Sequence, residues 1–203
     1  MRKLLTPVLD SITSLVTALE ARDEYISGHS GRVAGMALSL ALELDIPRHQ
    51  VEKIRLAGLL HDIGKIGIRK SVLKKQGELS DDEYSHMASH SIIGEGILRS
   101  VIDDGEILTM VRHHHERYDG KGYPDGMVGR QIPVGARILA VADMYDAMTS
   151  DRPYRKAVDP RIALDEIKRQ SRIQLDPGIV EAFLAMINNK IKAGRAGLEL
   201  ATP

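Results

Sequence analysis

Apolar residues recur along this chain at spacings of three and four, and alternation with a period of two is nearly absent. The pattern predicts helices joined by loops rather than a sheet. Thr6 can cap a first helix with Pro7 at its first position, and Leu5, Leu9, Ile12, Val16 and Leu19 then form a short heptad seam. Two heptads fit a helix laid on the core, a dimer contact or a signalling helix arriving from upstream, and the three readings stay open. A second helix is expected from near His29 to Leu44, ending before Pro47, and a third from about His49 into His61, stopped by Gly64 and Gly67. Ser80 with Glu83 reads as a capping box opening a helix that carries His86, His90, Ile93 and Ile97. Another helix leads from about Glu106 into His113. Beyond it, Gly120, Gly122, Gly126 and Gly129 with Pro124 mark a loop too rich in breakers for helix or central strand. Pro133 opens an apolar helix bearing Asp143, and Asp159-Pro160 and Asp176-Pro177 cap and open two more. No repeat of about 20–50 residues is visible. The expected fold is a compact all-α domain, with residues from about Lys192 onward as a frayed tail.

Composition narrows this picture. With 203 residues, 43% of them hydrophobic and only 3% aromatic, one core is expected, built from aliphatic side chains. The absence of cysteine excludes disulfides, thiolate metal sites and a Cys nucleophile, and it fits a reducing compartment, so a cytoplasmic location is expected. The 28 basic and 28 acidic residues cancel, leaving no global field to gather a nucleic acid polymer or a membrane surface. An anionic ligand would need a local basic site. No apolar run approaches the roughly 18 residues of a membrane span. Pro7 and Asp10 interrupt the apolar N-terminal stretch, so neither export nor insertion is expected.

The candidate chemistry lies in seven imidazoles and carboxylates: His29, His61, Asp62, His90, His114, His115 and Asp143. Such donors suit iron, manganese, zinc or nickel, and a carboxylate among them can join two ions. A single histidine on an apolar stretch is usually a core residue; three His clusters inside helical pattern are hard to read that way. In LLHDIGKIG the side chains of His61 and Asp62 project about 100° apart and can flank one ion or connect two. Taken alone, the dipeptide also fits a buried His and a capping Asp. Lys65, three residues on, suits a phosphate ester beside a metal, and equally a helix-end cation. The Gly-rich segment from Tyr118 to Gly129 is either a surface connection or, since it follows the candidate ligands directly, a wall of the site.

The segments DEYISGHSGRV, LLHDIGKIGI, MASHSIIGEGIL, HHERYDGKGYPDG and IPVGARILAVADMYDAMTSDRPYRKA together resemble an HD-GYP domain, a branch of the HD phosphohydrolase superfamily that hydrolyses cyclic di-GMP in bacteria. They run in the family's order over roughly residues 22–185. The resemblance implies a compact helical HD-type domain over residues 22–191, preceded by the helix in 1–21 and followed by the tail in 192–203. It implies a centre of two divalent metal ions, iron or manganese, with His29, His61, Asp62 and Asp143 on one, and Asp62, His90, His114 and His115 on the other, Asp62 bridging. The spacing to Glu116, Asp119 and Gly122-Tyr123-Pro124 selects His114 and His115 over His113, and the family pattern selects His90 over His86. Tyr25 stands where some members have a Glu that holds a third metal, so two ions are expected. Tyr123 would contact substrate, and Arg152 and Arg155 would hold phosphate or guanine, with Arg117 and Lys156 in reserve. Glu116 and Asp119 would orient ligands and loop.

The activity so implied is a metal-dependent phosphodiesterase cutting cyclic di-GMP to linear pGpG and onward to GMP, with Asp62 and Lys65 as catalytic residues. A diguanylate cyclase domain is an expected partner through the GYP loop, and a homodimer through the N-terminal helix. Two other readings stand beside it: a low-turnover cyclic-dinucleotide sensor or interaction module, and an HD hydrolase for another cyclic dinucleotide such as cyclic GMP-AMP.

Overall fold

The structure is a computed structural model that describes residues 28–151 and 156–199, with Ser14 and Val16 of the N-terminal segment. Helices α1 (His29–Glu43) and α2 (Arg48–Leu60) form an antiparallel pair, and a 3-10 turn, Ile63–Gly67, continues from the end of α2. A one-turn helix α3 (Lys70–Leu73), α4 (Asp81–Ala88), α5 (His90–Arg99) and α6 (Gly105–His113) follow. After the Gly-rich loop and a short 3-10 turn come α7 (Val134–Thr149), α8 (Pro160–Arg169) and α9 (Pro177–Glu199). Among the described residues there is no strand, only isolated bridges between Asp119 and Val128 and between Ser171 and Leu175.

Helix α7 is the central element. Gly135, Ala136, Ile138, Leu139, Val141 and Ala142 are all buried, because α1, α2, α6, α8 and α9 surround it. Its near-uniform apolarity is what a helix covered on all sides requires. The rest of the core is aliphatic as composition dictates: Leu40, Ile54, Leu60, Leu98, Ile167 and Leu175 lie with Phe183 among its fully buried side chains. Val16 is buried in this core while Ser14 is exposed, so the N-terminal seam contributes at least one side chain to packing. The remainder of that seam, Tyr25, Arg152 and Arg155 fall outside the described residues.

Local signals place most boundaries. Ser80 Oγ accepts from the Glu83 amide and the Glu83 carboxylate accepts from the Ser80 amide, the reciprocal capping box. Asp104 caps α6 through the amides of Glu106 and Ile107, Asp159 caps α8, and Asp176 caps the first turn of α9. Three elements differ from the sequence expectation. The helix expected to run from Ser80 through His90 and Ile97 is two helices meeting at Ser89. The helix into His61 does end, at Leu60, but the chain through Gly64 and Gly67 then tightens into a 3-10 turn carrying Lys65. The end beyond Lys192 is helical to Glu199, because α9 continues through the region expected to fray.

Gly64 shows why that turn needs glycine. A Cβ there would lie 1.9 Å from the His90 carbonyl oxygen and 2.5 Å from the Gly94 amide nitrogen. The absence of a side chain lets the His61-Asp62 segment seat against α5. Gly64→Ala is expected to destabilise the protein by roughly 1–3 kcal/mol or more through overpacking. Gly35→Ala, at an exposed position in α1 where a Cβ meets nothing within 4 Å, should instead stabilise by about 0.5–1 kcal/mol. Urea unfolding of the two variants beside the parent measures both effects.

Candidate metal centre

The seven candidate side chains arrive from five parts of the fold. His29 opens α1 after Gly28, whose φ of 75° is a left-handed conformation suited to glycine. His61 and Asp62 leave the end of α2, His90 opens α5, His114 and His115 follow α6, and Asp143 projects from α7. Ligand atoms of Asp62, His90, His114 and His115 lie within 4.8 Å of one another, and so do those of His29, His61 and Asp143. Asp62 stands between the groups. Its Oδ2 is 3.7 Å from His29 Nε2 and 3.6 Å from His61 Nε2, and its Oδ1 is 3.5 Å from His90 Nε2.

Helix ends orient the imidazoles. His61 Nδ1 donates to the Gly58 carbonyl at 2.8 Å, His90 Nδ1 to Met87 at 2.7 Å and His114 Nδ1 to Val111 at 2.7 Å, each reaching back three residues. A carbonyl only accepts, so each Nδ1 carries a proton, and in the neutral form of each ring the Nε2 lone pair turns inward. The His90 and His114 Nε2 atoms face each other at 3.3 Å with no proton to share. His61 Nε2 and Asp62 Oδ1 are buried without a hydrogen-bond partner. Acceptors aimed at one another repel; a divalent cation satisfies them all at once, so this donor set fits a metal and its hydrogen bonds alone do not account for it.

The electrostatics agree. Burial keeps His114 and His115 far below the usual imidazole range, with neighbouring imidazoles adding to the effect. His90 is lowered mainly by burial as well. Neutral rings are the ligating form. Burial would raise the Asp62 carboxyl, but the Lys65 ammonium 2.5 Å from Oδ2 and the surrounding imidazoles hold it well below the ordinary carboxylate range. For His29, burial opposes the charged form, yet Asp146, Asp143 and Asp62 together raise its pKa.

Asp146 went unrecognised in the sequence. It is buried on α7 one turn after Asp143; His29 Nδ1 donates to its Oδ2 at 2.7 Å and Arg32 Nε to its Oδ1 at 2.6 Å. Burial would raise this carboxyl; His29 and Arg32 bring it down to about 2. The signal available was the i, i+3 repetition of Asp in ADMYDAM on a helix already assigned one ligand.

The structure also separates His113 from its neighbours. His113 Nδ1 meets the Thr109 carbonyl at 2.8 Å and Nε2 meets Asp125 Oδ2 at 2.7 Å, so neither ring nitrogen turns a lone pair to the cluster. Arg112 pairs with the same Asp125 through two bonds of 2.8 Å, and Glu116 accepts from the Asp125 and Met127 amides at 2.7 and 3.0 Å. These contacts fasten the Gly-rich loop. Gly122 completes the fastening, since a Cβ there would lie 2.3 Å from the Arg117 amide nitrogen and 2.6 Å from the His115 carbonyl. The close approach is to backbone of the ligand segment.

Tyr123, held by that loop, lies with its ring centroid 5.0 Å from His115 and 6.3 Å from His90. Arg117 pairs with Asp119 and reaches Gln174, away from a substrate role, and Lys156 is exposed beside Asp151. His86 Nε2 accepts from the Arg69 amide, and His49 is exposed; neither joins the cluster.

An all-helical domain whose buried imidazoles and carboxylates converge in this way is of the HD type. The chain belongs to the HD domain family: the model of that family, an HD domain, matches residues 13–179. It is 40% identical over 194 residues to the cyclic di-GMP phosphodiesterase response regulator RpfG of Xanthomonas campestris pv. campestris, covering 94% of this chain and 49% of that protein. It is 37% identical to the cyclic di-GMP phosphodiesterase PA4108 of Pseudomonas aeruginosa, covering 94% of this chain and 48% of that one. The 3'3'-cGAMP-specific phosphodiesterase 3 of Vibrio cholerae is 34% identical, over 87% of this chain and 38% of its own length. The chain thus spans about half or less of the length of these relatives. The fold matches a cyclic GMP-AMP specific phosphodiesterase structure from V. cholerae with a TM-score of 0.72 at 19% identity, over 89% of this chain and 49% of that one. No described helix is long and apolar enough to cross a membrane.

Carboxylates that hold the second nitrogen of a ligating imidazole tune the metal it binds. Asp146→Asn is therefore expected to weaken divalent metal binding about 10- to 100-fold. Chelator competition with Mn(II), alongside a thermal melt of the metal-free variant, separates that effect from loss of folding.

Proposed function

We propose that this chain is a two-metal phosphodiesterase that opens cyclic di-GMP to the linear dinucleotide, with GMP as a further product. The observation that carries the reading is Asp62, whose two oxygens face different imidazoles while Oδ1 has no hydrogen-bond partner. Relatives at 34–40% identity over most of the chain act on cyclic dinucleotides, which supports the substrate class.

His29, His61, Asp62 and Asp143 would hold one ion, and Asp62, His90, His114 and His115 the other. Bound there, two divalent ions, iron or manganese, would supply Lewis acidity and an acidified water near neutral pH. The chain's own residues do the positioning. Asp62 fixes the separation of the two donor groups, and the Nδ1 bonds to helix carbonyls hold the rings before any ion arrives, which lowers reorganisation. Lys65, on the 3-10 turn beside Asp62, offers an ammonium to the oxygens on which charge builds as the ester is attacked. Tyr123 lies against His115 and would contact the substrate on that side. Arg152 and Arg155 would contact the dinucleotide from the segment after α7. No protein nucleophile is required.

A second reading, in which the domain binds a cyclic dinucleotide with little turnover, is opposed by the complete donor set. Preference for cyclic GMP-AMP is supported by the 34% identical relative specific for it, and product assays on both dinucleotides decide between them.

Asp62→Ala is expected to abolish hydrolysis and to reduce metal content, while Lys65→Ala should reduce turnover by about 10²-fold or more with metal content largely kept. Anaerobic purification, elemental analysis and chromatographic separation of products measure both. Full activity of Asp62→Ala with both ions bound would overturn the assignment.

A further inference from the structure

Seven aromatic residues serve this chain, and Tyr84 is the one exposed aromatic among the described residues, with 55% of its surface open. It sits on α4, a helix that contributes no buried side chain to the core. What holds α4 in place is polar: the Ser80–Glu83 capping box, the Lys75–Glu83 ion pair and the Arg69 amide on His86 Nε2 at 3.1 Å. These contacts hold α4, a surface helix, beside the cluster.

Tyr84 continues a line of rings that begins at the ligands. Its ring lies 6.0 Å from Tyr123 in an edge-to-face contact, and Tyr123 lies 5.0 Å from His115, tilted by 39°. The edge contact between Tyr84 and Tyr123 engages the rim of one of the two rings and leaves aromatic surface for a further planar group. The adjoining stretch from Arg69 to Lys75 carries four cations and no acid, a local positive field in a chain whose charges otherwise cancel. Arg69, Lys70 and Lys74 in it are exposed.

We infer that Tyr84 is a binding residue for the substrate, stacking on one purine base of a cyclic dinucleotide whose phosphodiester lies at the cluster. The inference rests on the function proposed above and adds the contact for the base. A neutral purine needs a flat apolar face rather than an ion, which Tyr84 offers and the acidic start of α4 does not disturb. The flanking cations suit the second phosphate. A tyrosine platform tolerates either purine, so it contributes affinity and leaves the choice between guanine and adenine to other contacts.

The test uses the full chain loaded with Mn(II) and cyclic di-GMP as probe. Tyr84→Leu and Tyr84→Ala are expected to raise KM about 5- to 100-fold while kcat changes by about two-fold or less, the split that marks lost uniform binding. Tyr84→Trp and Tyr84→Phe should restore KM, because a ring and not the hydroxyl is needed. Manganese content, measured on each variant, should match the parent. An unchanged KM in Tyr84→Leu overturns the inference, as does a loss of activity that follows loss of manganese, since the residue would then be structural. If the parent protein with Mn(II) neither binds nor cuts any cyclic dinucleotide, the functional reading fails first and takes this one with it.

Discussion

The constraint on which this structure depends is the burial of inward-facing lone pairs. Three imidazoles spend their Nδ1 protons on helix carbonyls, and their Nε2 atoms then converge with Asp62, where His61 Nε2 and Asp62 Oδ1 are left without a hydrogen-bond partner. Each unsatisfied buried polar atom costs about 1–3 kcal/mol, and the cost recurs at each such atom in the cluster. The helical frame has to carry that cost, and it does so with α7 covered by five helices in a largely aliphatic, buried core. A cation removes the penalty and couples its own affinity to the stability of the fold.

Around the cluster the polar groups fall into two sorts. Asp146, His113, Glu116 and Arg112 are saturated by protein partners and fix geometry, Asp146 holding His29 to α7 and the others holding the loop to α6. His61, His90, His114 and Asp62 keep acceptors directed into the site. The distinction is one of hydrogen-bond arithmetic: an imidazole with both nitrogens committed to oxygen acceptors has nothing for a metal, whatever its place in a His-His-His run. The loop that begins there is correspondingly well defined. Glu116 ties down two amides, Gly122 passes within contact of the ligand segment, and Tyr123 is carried back over His115.

The relatives named for cyclic di-GMP hydrolysis extend well beyond the length matched here. Within the domain, the fold separates two tasks. Helices α1, α2, α5, α6 and α7 bring the donors together, and the peripheral α4, which has no buried side chain, borders them beside the basic α3.

Helical periodicity, capping residues and the spacing of His and Asp were enough to read an all-α fold, most helix boundaries and all seven converging side chains, because these are local patterns or motif spacings. Asp159 and Asp176 cap where they are expected to, and the Ser80 box forms. What the linear pattern could not decide was anything settled by a distant neighbour. The break at Ser89 interrupts no periodicity, and the length of α9 past Lys192 has no local stop signal to announce it. Gly64 reads as a helix breaker until the His90 carbonyl is placed against it, and Asp146 reads as an ordinary helix acid until α1 is packed beside α7. Sequence determines which side chains can donate or accept; only tertiary packing decides which of those capacities are already spent, and the unspent ones, buried and facing each other, mark the candidate site.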